Sequence, residues 1–228
     1  GDWSSDVCSS DLGTRLEARW SDRTGVDASF AIEVARPPRH ESLNVVIPWS
    51  DEEFNFTSKQ QARPATGELR VGERRYGIGG AAGDAWGVLD VGRGRWPAAI
   101  RWNWGGGAGP SGDRVIGLQI GGKWTDGTGF TENGVFVDGR LTKLGRELAW
   151  DYDWDRPLAP WRVEDPGGRL AMTLTPRYDK HTVLGAPDDP RQTHQVFGTW
   201  SGFLVAENDE RIDFDGLQGF AEEARQQW

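Results

Sequence analysis

The sequence predicts an all-β fold, an antiparallel up-and-down meander that closes on itself into a barrel. Three observations carry this. Apolar residues recur with period two in run after run. Turn dipeptides rich in Gly, Asp and Asn separate those runs. The chain also holds 32 Gly and 13 Trp in 228 residues. Gly serves turns and bulges, and Trp supplies large apolar walls with one polar N–H.

Taken in order, Asp2–Leu12 (DWSSDVCSSDL) matches the translation of a short-read sequencing adapter. It is set aside as a non-native tail without a role. The one cysteine, Cys8, falls inside it, so disulfides, zinc–thiolate sites and thiol nucleophiles are excluded for the remainder. Leaving out Asp2, Asp6 and Asp11 takes the formal charge from −9 to −6. The true N-terminus is expected to be missing, so a signal peptide cannot be judged. A cytoplasmic location is the expectation, with secretion left open.

Ala28, Phe30, Ile32 and Val34 share one strand face, and Leu43, Val45, Ile47 and Trp49 repeat the pattern. Ile116, Leu118 and Ile120 form another face, as do Leu170, Met172 and Leu174. Leu148, Trp150, Tyr152 and Trp154 gather aromatics on one side, with Asp151, Asp153 and Asp155 on the other. Asp138-Gly139 reads as a type I′ hairpin turn. Pro166-Gly167-Gly168 and Asn208-Asp209 mark further turns. Gly105 to Gly109 reads as a flexible loop at a barrel mouth, since no helix follows to make a phosphate loop. Tyr178–Gln192, rich in Asp, Pro and Gly, reads as a long loop. Gly219–Gln227, with its Ala and Glu, reads as a short C-terminal helix. The expected organisation is a tail over 1–12, the remainder of an N-terminal β region over 13–80, and a barrel over 81–228.

An acidic chain with no Lys/Arg cluster argues against nucleic-acid and anionic-membrane partners. No stretch approaches the ~20 apolar residues of a membrane span.

From Ser42 onward, four runs are informative together: SLNVVIPWSDEEFNFTSKQ, WGVLDVGRGRWPAAIRWNWG, TGFTENGVFVDGRLTKL and HQVFGTWSGFLV. In this order they resemble the bacterial family catalogued as domain of unknown function 2804, over most of Leu43–Trp228. That resemblance implies paired lipocalin-like (calycin-type) barrels, distantly similar to the carotenoid hydratase group, with the first barrel truncated here at its N-terminus. Trp86, Asp90, Gly94, Trp102 and Trp104 are similar to an order of residues in those enzymes. Val91 follows the acid where they usually carry His or Arg, so the resemblance implies fold before chemistry.

Two acids are candidate catalytic residues. Asp90, held among aromatics, would have its pKa raised and so suit proton donation; it equally suits a turn or an arginine partner. Glu132 in Thr131-Glu132-Asn133 would be a second acid or base, with Asn133 orienting a ligand, or the segment simply satisfies a strand entrance. Trp86, Trp102 and Trp104 are candidate ligand platforms, and Asn103 lies on the same strand as the last two. Core packing explains tryptophans equally well. Lys59 would meet an anionic ligand or snorkel at the surface. His194 and Gln195 would shuttle protons and bind, or stand at a loop end. No spacing indicates a metal. Asp151, Asp153 and Asp155 lack the glycine of a calcium loop, Arg156-Pro157 standing there instead. No cofactor motif and no serine-hydrolase elbow occurs.

The leading functional reading is binding of an apolar or amphipathic small molecule in an aromatic-lined pocket. The alternatives are a cofactor-free hydratase, cyclase or isomerase using a buried carboxylic acid, and a carbohydrate-active enzyme built on Trp platforms and two carboxylates.

Overall fold

A computed structural model describes residues 4–10, 13–186 and 189–227. Among the described residues the regular structure is antiparallel strand, apart from one 3-10 turn at Gly80–Ala82. Two compact units divide the chain, residues 1–40 with 63–88 and residues 41–62 with 89–228.

The first unit is a meander. β1 (Ser4–Ser10) pairs with β2 (Gly13–Ser21), and β2 with β3 (Asp27–Ala35). Ala28 is buried and Phe30, Ile32 and Val34 half-buried on the face that the period-two reading assigned to them. β4 (Leu43–Pro48) belongs to the second unit and precedes β5 (Phe54–Val71), whose later half belongs to the first. That half pairs with β3 and with β6 (Arg74–Ile78).

The second unit carries the site. It holds β4, the earlier half of β5 and the later part of β7 (Trp86–Arg95). A nine-stranded sheet follows: β8 (Ala99–Ser111), β9 (Arg114–Gly122), β10 (Asn133–Val137), β11 (Arg140–Leu144), β12 (Ala149–Asp151), β13 (Trp161–Glu164), β14 (Leu170–Ala186), β15 (Asp189–Val205) and β16 (Arg211–Gln227). Its spatial order is β11-β10-β9-β8-β16-β15-β14-β13-β12. The sheet curls. Trp150 on the β12 edge donates its indole N–H to the Gly121 carbonyl of β9, 3.2 Å away. The inner face is filled by an apolar core that includes Ile116, Leu118, Ile120, Trp161 and Trp200, all fully buried. Burial of such side chains, at roughly 25 cal/mol per Å² of apolar area, is the main source of stability here.

The Asp138-Gly139 turn joins β10 and β11 as read, with φ of 51° and 79°, both in the left-handed region a type I′ turn needs. Gly168 and Asp209 hold positive φ in the turns before β14 and β16. Leu148, Trp150 and Tyr152 do reach one core, although the strand among them is only Ala149–Asp151.

Three expectations are corrected. The segment Gly219–Gln227 is strand, not helix. It lies within β16, and its residues from 219 to 225 have ladder partners on both β15 and β8. Two ladders satisfy the backbone of each residue and override the modest helix preference of Ala and Glu. The supposed loop Tyr178–Gln192 is an extension of the β14–β15 hairpin, in register from Tyr178↔Phe197 to Ala186↔Asp189; residues 187 and 188 lie outside the described ones. The glycine run after Trp104 is the middle of β8. A Cβ at Gly105 would stand 2.9 Å from Ile120, and one at Gly107 2.8 Å from Trp200, so glycine there lets side chains of neighbouring strands close over the backbone.

Candidate functional site

β5 enters the second unit with an inverted pattern. Asn55, Thr57, Lys59 and Gln61 alternate on its buried face, while Phe54 and Phe56 point the other way. A buried polar row requires partners, and β7 supplies one. Thr57 Oγ1 donates to Asp90 Oδ1 (3.0 Å), and Lys59 Nζ donates to Asp90 Oδ2 (2.8 Å). β7 lies close on β5 because of its glycines: a Cβ at Gly94 would sit 2.0 Å from the Phe54 carbonyl oxygen. Gly92 to Arg95 therefore continue the strand that carries Asp90.

β8 contributes Trp102 and Trp104 from its outer face. Trp102 Nε1 donates to Glu222 Oε1 on β16 (2.7 Å), and Gln195 Nε2 of β15 donates to the other oxygen, Oε2 (2.8 Å). Trp104 Nε1 donates to Gln119 Oε1 (3.0 Å), which also accepts from Gln61 Nε2 (2.9 Å). Lys59 Nζ lies 4.3 Å from the centre of the Trp104 ring, a cation–π contact.

Glu132, just ahead of β10, is 2% exposed. Its Oε1 accepts from Trp124 Nε1 at 2.6 Å. Its Oε2 lies 3.3 Å from Lys59 Nζ, an ion-pair distance. Gly121 of β9 makes the room, since a Cβ there would fall 2.3 Å from Glu132 Oε1. Burial pushes the Glu132 carboxyl above the usual carboxylate range, opposed by Lys59 and by the Trp124 N–H, with the charge of Asp90 adding to the rise. Burial likewise pushes Glu222 up, against the Trp102 and Gln195 donors.

Trp96, between β7 and β8, completes an aromatic wall. It stacks on Trp124 at 5.7 Å and 15° and meets Trp102 edge-on at 5.8 Å. Trp49 backs this wall, its N–H donated to the Trp124 carbonyl oxygen (2.8 Å).

Asp90, Glu132, Lys59, Trp102 and Trp104 thus line one cavity of about 640 Å³. It lies on the outer face of β8, facing β5 and β7, whereas the inside of the curled sheet is packed core. Arg93, near Asp90 in sequence, also lines it, as do Trp96, Trp124, Glu222, Asn55 and Thr57, which the sequence did not single out. Glu222 was hidden by the helix reading. The β5 row was visible as alternation in NFTSKQQ, but with polar residues on the face that is buried.

The other candidates lie elsewhere. Trp86 belongs to the first unit and is half-buried. Asn103 faces the core side of β8 and donates to the Tyr152 hydroxyl (2.9 Å). Asn133 braces the backbone, accepting from Gly121 N–H (2.7 Å) and donating to the Arg146 carbonyl oxygen (3.0 Å). His194 pairs with Asp179 (2.8 Å) and stacks on His181. Gln195 acts on the cavity through Glu222. No group of three or more His, Cys, Asp or Glu able to hold a metal occurs among the described residues. No described helix is long and apolar enough to cross a membrane.

A family model described as "Domain of unknown function (DUF2804)" matches residues 5–228. No curated protein matches the chain. Among solved structures, kievitone hydratase from Nectria haematococca aligns with 99% of this chain and 88% of its own, at 11% identity and a TM-score of 0.45. CghA aligns with 99% and 73%, at 18% identity and a TM-score of 0.40. CghA with Sch210972 covers the same shares, at 16% identity and 0.41.

Proposed function

We propose, from the premise that the chain belongs to the DUF2804 family, that it binds an amphipathic small molecule in the cavity between β5, β7 and β8. One observation carries the reading. A wall of Trp96, Trp102, Trp104 and Trp124 lines one cavity with the polar side chains of Asn55, Thr57, Asp90 and Glu132. Tryptophan faces suit a flat or aliphatic body, and the amide, hydroxyl and carboxyl groups opposite suit a polar head that exchanges hydrogen bonds with them. Protonated, Glu132 also donates through Oε2, so a carbonyl or ether oxygen fits as well. Lys59 is already paired with Asp90 at 2.8 Å, which favours an uncharged head over an anionic one. Isothermal titration of hydroxylated amphiphiles, with Trp104→Ala as the control, tests the reading. Saturable binding that Trp104→Ala weakens is expected; a folded protein that binds none of them overturns it.

A second reading, acid–base catalysis, is favoured by the Glu132 carboxyl. Desolvation keeps it protonated at higher pH than an ordinary glutamic acid, as a proton donor to an alkene or carbonyl requires. Glu132 would give its proton to the bound ligand. Addition of water to the resulting cation, or loss of a proton from another carbon, would complete a hydration or an isomerisation and return a proton. Bound compounds incubated with the protein would then gain the mass of one water or change retention time at constant mass, and Glu132→Gln would abolish the change. Conversion unaffected by Glu132→Gln overturns this reading and leaves the binding reading standing.

A further inference from the structure

The outer face of the nine-stranded sheet does not stop at the cavity. Gly106 of β8 stands opposite Phe220 of β16, Phe220 opposite Phe197 of β15, and Phe197 opposite Tyr178 of β14. Directly paired residues share a face, so the three rings form one row across adjacent strands. Trp104, which lines the cavity, meets Phe220 edge-on at 4.8 Å. Phe220 is 6.3 Å from Phe197, and Phe197 is 6.3 Å from Tyr178. Gly106 permits the first step, because a Cβ there would lie 2.9 Å from Phe220. Burial falls along the row: Phe220 is half-buried, Phe197 39% exposed and Tyr178 61% exposed.

We propose that this row is a continuation of the binding site, taking the long apolar tail of a ligand whose polar head lies beside Lys59 and Glu132. The inference rests on the small-molecule reading above and adds the class of ligand: a long-chain amphiphile. Two features select a single chain over a protein partner. The apolar stripe is one residue wide, flanked on the same face by Gln195 and Lys180 on one side and by Gln218 and Thr199 on the other. It also begins at the cavity wall, so a ligand already seated on Trp104 has only to extend. Cross-strand stacking explains each aromatic pair, but not a row that leads from a cavity outward with falling burial. From β8 to β14 the stripe crosses three inter-strand gaps, roughly 14 Å at ~4.8 Å each. A short alkyl chain cannot span that and a long one can.

The test is calorimetric titration with 1-hexanol and 1-dodecanol on three proteins: the wild type, a Tyr178→Ser/Phe197→Ser double variant and Trp104→Ala. Both serines replace exposed rings, and melting temperature and molar mass are followed alongside. The wild type is expected to bind 1-dodecanol at least about tenfold more tightly than 1-hexanol. The double variant is expected to lose most of that gain while binding 1-hexanol unchanged, and Trp104→Ala to weaken both. A gain that survives in the double variant, or a wild type that does not distinguish the two alcohols, overturns the tail site and leaves the cavity reading intact. A double variant that changes oligomeric state without changing alcohol affinity shows a self-association face and also overturns it. Binding of neither alcohol by any protein overturns the cavity reading and the tail site together.

Discussion

A carboxylate that accepts an indole N–H on one oxygen and an amide N–H on the other has little freedom, and Glu222 is held so by Trp102 and Gln195. Its burial raises its proton affinity above the ordinary value of 4.5. Below that value neither the folded nor the unfolded carboxyl is ionised. As pH rises past it, the unfolded chain ionises first and gains, so the folded protein loses stability until its own carboxyl ionises. Glu222→Gln, with the Gln195 amide free to turn over, removes that loss. The variant is expected to gain in urea midpoint relative to the wild type between pH 4 and pH 7.5; a difference flat with pH would contradict the desolvated carboxyl. Gly121→Ala addresses the neighbouring acid. Its Cβ would collide with the buried Glu132 side chain, and a cost of about 1–3 kcal/mol is expected from urea unfolding. An unchanged midpoint would mean that Glu132 is not seated there. At this scale Asp90, Glu132, Lys59, Trp102 and Trp104 were legible as residue types suited to a site. Glu222 was not, because its neighbours Ala221, Glu223 and Ala224 suggest a helix when read alone.

Turn chemistry is the most local of the element-level devices, and the β10–β11 hairpin depends on it. Gly139 holds φ of 79°, and a β-branched residue there is strained by roughly 1–2 kcal/mol. Gly139→Val is expected to lower the melting temperature by about 2–4 °C per kcal/mol lost in a chain of this size. No drop would overturn the turn assignment. β1 makes the opposite case. Among the described residues it pairs with β2 alone, and Ser4–Cys8 are exposed. Removing residues 1–12 is therefore expected to leave the melting temperature within about 2 °C, since Ser4–Cys8 are exposed. A larger fall would give that segment a stabilising role. Strands with one buried face, such as β3, were readable by period two. The long β14–β15 hairpin and the end of β16 were not, because Asp, Pro and Gly interrupt the first and Ala and Glu disguise the second, while their ladders join residues far apart in sequence.

At the scale of the whole molecule, the nine-stranded sheet is held by the core it curls around. Trp200 is fully buried there, with its N–H on the Gly106 carbonyl oxygen at 3.1 Å. A Cβ at Gly107 or at Gly219 would come within 2.8 Å of its ring. Trp200→Ala is expected to cost of order 3–5 kcal/mol in equilibrium unfolding; a loss under ~1 kcal/mol would mean that the core closes without it. Determined by the sequence alone were the all-β class, the tight turns at Asp138-Gly139, Pro166-Gly167-Gly168 and Asn208-Asp209, and which residues share a strand face, since these follow from the local chirality and period of the backbone. Which face is core and which is cavity was decided only in three dimensions. β8 and β9 are covered on both sides, so a period-two pattern separates Trp102 and Trp104 from Asn103 and Gly105 without saying what each pair meets. The meeting of Asp90, Lys59 and Glu132 was decided there too. Their contacts come from β5–β7 pairing and from the space left by Gly121, and long-range pairing of that kind leaves no periodic trace along the chain.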